Sequence, residues 1–221
     1  MVKQIQQTLK DVKKIYLFAV TLFLLITVLS SLVSGHHQER LLYRYAKQVV
    51  EDEGISFDEK SFEETLKHAE KKPLDKKDYQ IIGWEDVKEF FLKNSLIALR
   101  TMAIGIIPFL FLPLVGLGFN ALALGMVYIM LRSVSDATFS VYLAMILPHG
   151  IIEYAAVLLA FSLGLLLCLE GSKRILGKEV LHFSERSKGV LLVYVFIVLP
   201  LLAVSAVIEA YITPLIIQSV I

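Results

Sequence analysis

The chain has a single cysteine, Cys168, among 221 residues. That excludes an intramolecular disulfide and leaves the redox compartment unread. Charge is scarce, at 19%, and nearly balanced, with 22 basic against 21 acidic residues. A net charge of +1 excludes a generally basic nucleic-acid binder. No internal repeat, low-complexity tract or phosphate-binding glycine loop is present; Gly116-Leu-Gly118 lacks the Gly-Lys-Ser/Thr that would follow. What is abundant is apolar surface. Hydrophobic residues make up 56% of the chain, against about 45–50% for an ordinary soluble domain. The charges are segregated between long apolar stretches, the pattern of a chain that crosses a bilayer several times.

The first apolar run, Ile15 to Val33, is nineteen residues without a charge. It is long enough to cross a hydrocarbon core of about 30 Å. Lys3, Lys10, Lys13 and Lys14 precede it, opposed by Asp11. The run exceeds the core of a signal peptide, and Ser34-Gly35 is a weak cleavage context. An uncleaved signal anchor is expected. The next run, Thr101 to Leu131, is too long for one ordinary span and short for two. Pro113, Gly116 and Gly118 predict a break in its middle, giving a second span over Asn94–Val115 and a short third over Leu117–Val134. The third could also re-enter rather than cross. A fourth span runs from about Val141 to Leu169, and a fifth from Val190 to Ile208.

Orientation follows from the basic residues. The first fourteen residues carry net +3, which predicts a cytoplasmic amino terminus. Lys173, Arg174, Lys178, Arg186 and Lys188 fall on the same side only if the third segment crosses. The expected fold is an all-α membrane protein, a polytopic bundle of about five transmembrane helices with a small helical extracytoplasmic cap. Residues 1–33 would be the cytoplasmic start and first helix, 34–93 the outside excursion, and 94–221 a four-helix membrane core.

The excursion carries 14 acidic and 11 basic side chains. Leu41, Leu42, Tyr45, Val49 and Val50 recur at helical spacing, Ser61-Phe-Glu-Glu64 reads as a capping box, and Pro73 closes that helix. Trp84, Phe90 and Phe91 suit an interfacial helix leading into the second span. No catalytic pattern appears. His36, His37 and His68 lack companions at metal-ligand spacing. The excursion is either a solvated cap or a docking surface for an extracytoplasmic partner, and nucleic acid is not expected there.

Arg100, His149, Glu153 and Glu209 are ionisable groups that fall within or at the edge of the spans, and they are expected to converge as one polar cluster in which the carboxylates partner Arg100. Each would cost roughly 2.5–3.5 kcal/mol at the bilayer centre on insertion scales, so such groups normally face inward and find partners. Helical rise puts Arg100 roughly 9 Å, His149 roughly 12 Å, Glu153 roughly 18 Å and Glu209 roughly 7 Å below the outer surface. His149 and Glu153, spaced i to i+4, share one helix face. Pro148 cannot donate to the carbonyl of Ala144, which leaves an acceptor one turn above the histidine.

Four readings of this niche stay open: an interhelical lock, a proton or ion path, a metalloenzyme site, and a pocket for a lipid or small ligand. The metal reading lacks both the His-Glu-x-x-His pattern and a second intramembrane histidine, so no metal or other cofactor is assigned. Asn120 is expected to hydrogen-bond across helices. Gly116, Gly118 and Gly125 permit close packing, as do Gly150, Ala155, Ala156, Ala160 and Gly164 along the fourth span, whose spacing suits a buried helix, packed within one chain or between copies of a homo-oligomer.

Four patches carry a resemblance. They are Phe90-Phe91-Leu-Lys93-Asn94, Phe119-Asn120-Ala-Leu-Ala-Leu-Gly125, Leu147-Pro148-His149-Gly150-Ile-Ile-Glu153 and Ile208-Glu209-Ala-Tyr211-Ile-Thr-Pro214. In order and spacing they resemble the stage II sporulation protein M family over about residues 88–214. Ala121 stands where that family often has glycine. The resemblance implies a membrane anchor that recruits and positions partner proteins, as its sporulation member does for peptidoglycan-degrading enzymes, and that has no known chemistry of its own. Similar proteins also occur in organisms that never sporulate. The leading expectation is a non-enzymatic membrane scaffold at the cell envelope. A small proton- or ion-coupled permease and an intramembrane hydrolase are the alternatives.

Overall fold

A computed structural model describes residues 1–32, 75–108, 112–134, 139–178 and 183–221. Five long helices make up these residues: α1 (Val2–Leu32), α2 (Trp84–Ile104), α3 (Leu112–Val134), α4 (Phe139–Ile175) and α5 (Phe183–Val220). No strand occurs among the described residues. The helices expected around Leu41–Val50 and Ser61–Pro73, and His36, His37 and His68, lie outside the described residues. Four helices, α1, α3, α4 and α5, are long and apolar enough to cross a membrane. The remaining one, α2, carries Glu85, Asp86, Lys88, Glu89, Lys93 and Arg100. The result is an all-α membrane bundle.

Two boundaries differ from the hydropathy pattern. Trp84 to Lys93 is no separate interfacial helix. It forms the first turns of α2, which runs unbroken to Ile104. The Asp86 carboxylate accepts the Gly83 N–H at 2.9 Å and caps the start. Glu85 and Asp86 also complement the positive helix end. The break between second and third helices falls at Gly105–Pro108, not at Pro113. Gly105, Ile106 and Ile107 donate to carbonyls three residues back, tightening the last turn. Pro113 instead sits at the opening of α3, where a missing N–H costs nothing. At 23 residues, α3 is about 34 Å long, enough to cross.

The centre of the bundle is α4. Its most apolar window is 72% buried, against 17% for α1, as its small residues predict. On one side, Leu158, Phe161, Leu165 and Cys168 of α4 pack with Ala19 and Phe23 of α1 and with Leu117 and Ala121 of α3. On another, Ala156, Ala160, Leu163 and Leu167 pack with Ala98 and Met102 of α2 and with Val190, Val193, Val198 and Leu202 of α5.

Glycine permits two of these approaches. A Cβ on Gly164 would lie 2.8 Å from the Thr101 carbonyl oxygen, and one on Gly105 would collide with the Gly164 backbone. At Gly125, a Cβ would strike Ser30 and approach the Thr27 carbonyl at 2.9 Å. Thr27 in turn donates to the Ala121 carbonyl at 3.2 Å.

Each end of the bundle has its own fastening. At the end where α1 begins and α4 finishes, the Arg186 guanidinium donates to Asp11 at 2.6 Å and lies 3.9 Å from Glu170. The Arg186 side chain is only 7% exposed. Charge counting had placed Arg186 among loop cations, but α5 starts at Phe183 and carries it inside. At the other end, the Ile82 N–H reaches the Ala210 carbonyl at 3.4 Å, and the Gln218 amide donates to the Tyr79 carbonyl. Val87 is buried against Ala206 and Ala210.

Candidate functional site

Three helices meet at the second end. From α4 come His149 and Glu153, one turn apart on the face that the i, i+4 spacing predicts. From α5 come Ser205, Glu209 and Thr213. In an α-helix, four residues overshoot a full turn by about 40°. The segment Ile208–Ile212 is a π turn, whose wider i to i+5 closure takes up that overshoot. Glu209 and Thr213 consequently stay on the face directed at α4. From α2 comes Asn94, on the stripe it shares with Val87, Phe91 and Ala98.

One donor atom each from His149, Glu153 and Glu209 lies within 4.8 Å of the others. The Thr213 hydroxyl lies between two groups, 3.2 Å from the Ile208 carbonyl that it can donate to and 3.1 Å from His149 Nδ1. In the tautomer where His149 Nδ1 donates to that hydroxyl, the free lone pair is on Nε2. Ser205, fully buried, donates to Glu153 Oε2 at 3.4 Å. The Asn94 side chain lies within hydrogen-bonding reach of the same carboxylate. Glu209 Oε2 is buried and finds no hydrogen-bond partner among the described residues. Lys93, exposed on α2, is the cation whose field reaches Glu209.

Of the four ionisable residues singled out in the spans, then, the fold brings together His149, Glu153 and Glu209. Arg100 does not join them. It is exposed on α2 and forms no ion pair among the described residues. Its expected place beside the carboxylates is taken by Asn94. That residue lies about 120° from Arg100 around the helix, on the buried stripe. It stands in one of the four sequence patches, so the signal was present, but a neutral amide draws less attention than a guanidinium.

The remaining patch residues have local roles. The Asn120 side chain donates to the Gly116 carbonyl of its own helix at 2.8 Å, not across helices. Pro148 is accommodated inside α4, and Gly150 beside it is buried. Tyr211 packs against the Val87–Ala206–Ala210 contact, and buried Pro214 opens the last α-helical segment after the π turn.

A bundle of long apolar helices of this kind is a multi-pass membrane protein, and two carboxylates and an imidazole meet where three of its helices pack. The family model described as Stage II sporulation protein M matches residues 15–214, and the chain belongs to that family. No curated protein and no solved structure matches it.

Proposed function

We propose that the chain is a non-enzymatic membrane scaffold at the cell envelope, and that the segment around residues 34–74 is its docking surface for extracytoplasmic or membrane proteins. The observation that carries this reading is the fastening at the second bundle end. Tyr79, Ile82 and Val87 are tied to Gln218, Ala206 and Ala210 of α5. The far end of the polar segment is thereby held on the bundle while its other end leaves α1. A surface tethered at both ends suits the positioning of partners. The basic amino terminus supports an orientation with α1 starting in the cytoplasm and this segment outside.

The test is capture of cross-linked partners from membranes by the full chain and by a chain with residues 34–74 replaced by a short flexible linker. Partners should be lost while the linker variant still elutes as a folded species. Retention of the same partners would refute the docking role.

A small ion-coupled permease is the second reading, supported by the convergence of His149, Glu153 and Glu209 from two helices. It predicts ion- or pH-dependent flux in proteoliposomes that Glu153→Gln abolishes. Absence of such flux in the unaltered chain removes it.

A further inference from the structure

We propose that His149, Glu153 and Glu209 form a binding site for one divalent transition-metal cation of the zinc or manganese type. It stands independently of any partner recruitment. Sequence spacing alone stops at His149 and Glu153, because the third ligand arrives from another helix 56 positions after Glu153.

Four observations converge. The donor atoms are already gathered within 4.8 Å of one another, the separation at which a single ion can be shared. Thr213 Oγ1 sits 3.1 Å from His149 Nδ1, where an outer-shell partner sits in metal sites, which leaves Nε2 as the ring nitrogen to ligate. The Glu209 Oε2 atom is a buried acceptor with no donor among the described residues, an atom that a cation would satisfy. Finally, two carboxylates sit side by side with Arg100 turned away, and Lys93 is exposed. A divalent ion neutralises both carboxylates at once, which a low-dielectric surrounding favours.

The donor chemistry sets the class. One imidazole with two carboxylates suits Zn²⁺, Mn²⁺ or Fe²⁺, whereas Ca²⁺ and Mg²⁺ favour all-oxygen shells. Three protein ligands leave at least one position for water or another ligand. Ser205 and Asn94 steady the Glu153 carboxylate, so α2 contributes to the site through its outer shell.

The experiment uses the full chain in detergent with His36, His37, His68 and His182 replaced by alanine, leaving His149 as the sole histidine. After treatment with chelator, it is equilibrated with Zn²⁺ and bound metal is measured by mass spectrometry. Nitrogen NMR of labelled histidine is recorded in parallel. One zinc per chain is expected, with the His149 Nε2 resonance shifting and Nδ1 staying protonated. Thr213→Val should weaken affinity by roughly 10–100-fold, and Glu209→Gln by more. Lys93→Gln should leave binding intact or tighten it. Zinc below one equivalent, an unshifted Nε2, or equal zinc on Glu209→Gln would each overturn the proposal. Should Glu209→Gln fail to fold, the NMR of the unaltered site still decides.

Discussion

At the scale of single residues, burial rather than formal charge decides which polar group matters. Arg100 and Asn94 both lie on α2, yet only Asn94 is on the packed stripe. Asn94→Ala removes the α2 amide within reach of the Glu153 carboxylate and should cost about 0.5–1.5 kcal/mol, the range of interhelical polar contacts in membranes. Arg100→Gln should leave thermal stability in detergent unchanged. A larger loss from Arg100→Gln than from Asn94→Ala would contradict the placement of both.

The same rule governs the opposite end. Arg186 is buried, its Nε already lacks a partner, and Asp11 supplies its shortest contact. Asp11→Asn should therefore cost about 1–3 kcal/mol, discounted from a fully buried pair because Asp11 is partly exposed. Lys173→Gln is the comparison. Its ammonium is half exposed and 3.8 Å from Glu170, and its loss should cost under about 1 kcal/mol.

Among the elements, α4 organises the rest, and its small residues announce this in the sequence. Gly164, Ala156 and Ala160 allow α2 and α5 to approach along its length. Gly164→Leu has no room to relax, since the obstacle is the backbone of Thr101 and Met102. It should lower stability by about 3 kcal/mol or more, or prevent accumulation of folded protein. Gly118→Leu, whose added Cβ meets nothing within 4 Å, should be tolerated. Melting curves of the two variants in one detergent check the contrast.

Element identity and number were legible, because charge-free runs and helix spacing are local signals. Both halves of the polar site were legible too, as His149–Glu153 and as Glu209. Their convergence was expected, but with Arg100 as a member; which groups meet depends on helix rotation and on a π turn that no composition reveals. The end of α2 was misplaced for a related reason. Pro113 looked like a breaker, but proline at a helix opening and proline that ends a helix are the same letter. Arg186 escaped notice because a short basic stretch reads as a loop until a helix is known to begin at Phe183.

For the whole molecule, the asymmetry of the two ends matters most. One end is closed by an ion pair among α1, α4 and α5, the other by hydrogen bonds and apolar contact that secure the start of α2. The expected orientation places the first on the cytoplasmic side. With Cys168→Ser removing the buried thiol, Ser61→Cys should react with an impermeant maleimide in intact cells. Ser187→Cys should react only after permeabilisation. The reverse pattern would invert the topology and move the proposed docking segment to the cytoplasm.

The pair that closes the first end joins residues 175 positions apart. During synthesis Asp11 enters near the membrane long before its guanidinium partner has been translated. Until α5 arrives, Asp11 has only Gln7 of its own helix as a side-chain partner, and the Ala156–Leu167 face of α4 lacks its contacts with Val190, Val193, Val198 and Leu202. A chain that stops before α5 thus lacks the Arg186 contact at a residue translated among its first eleven.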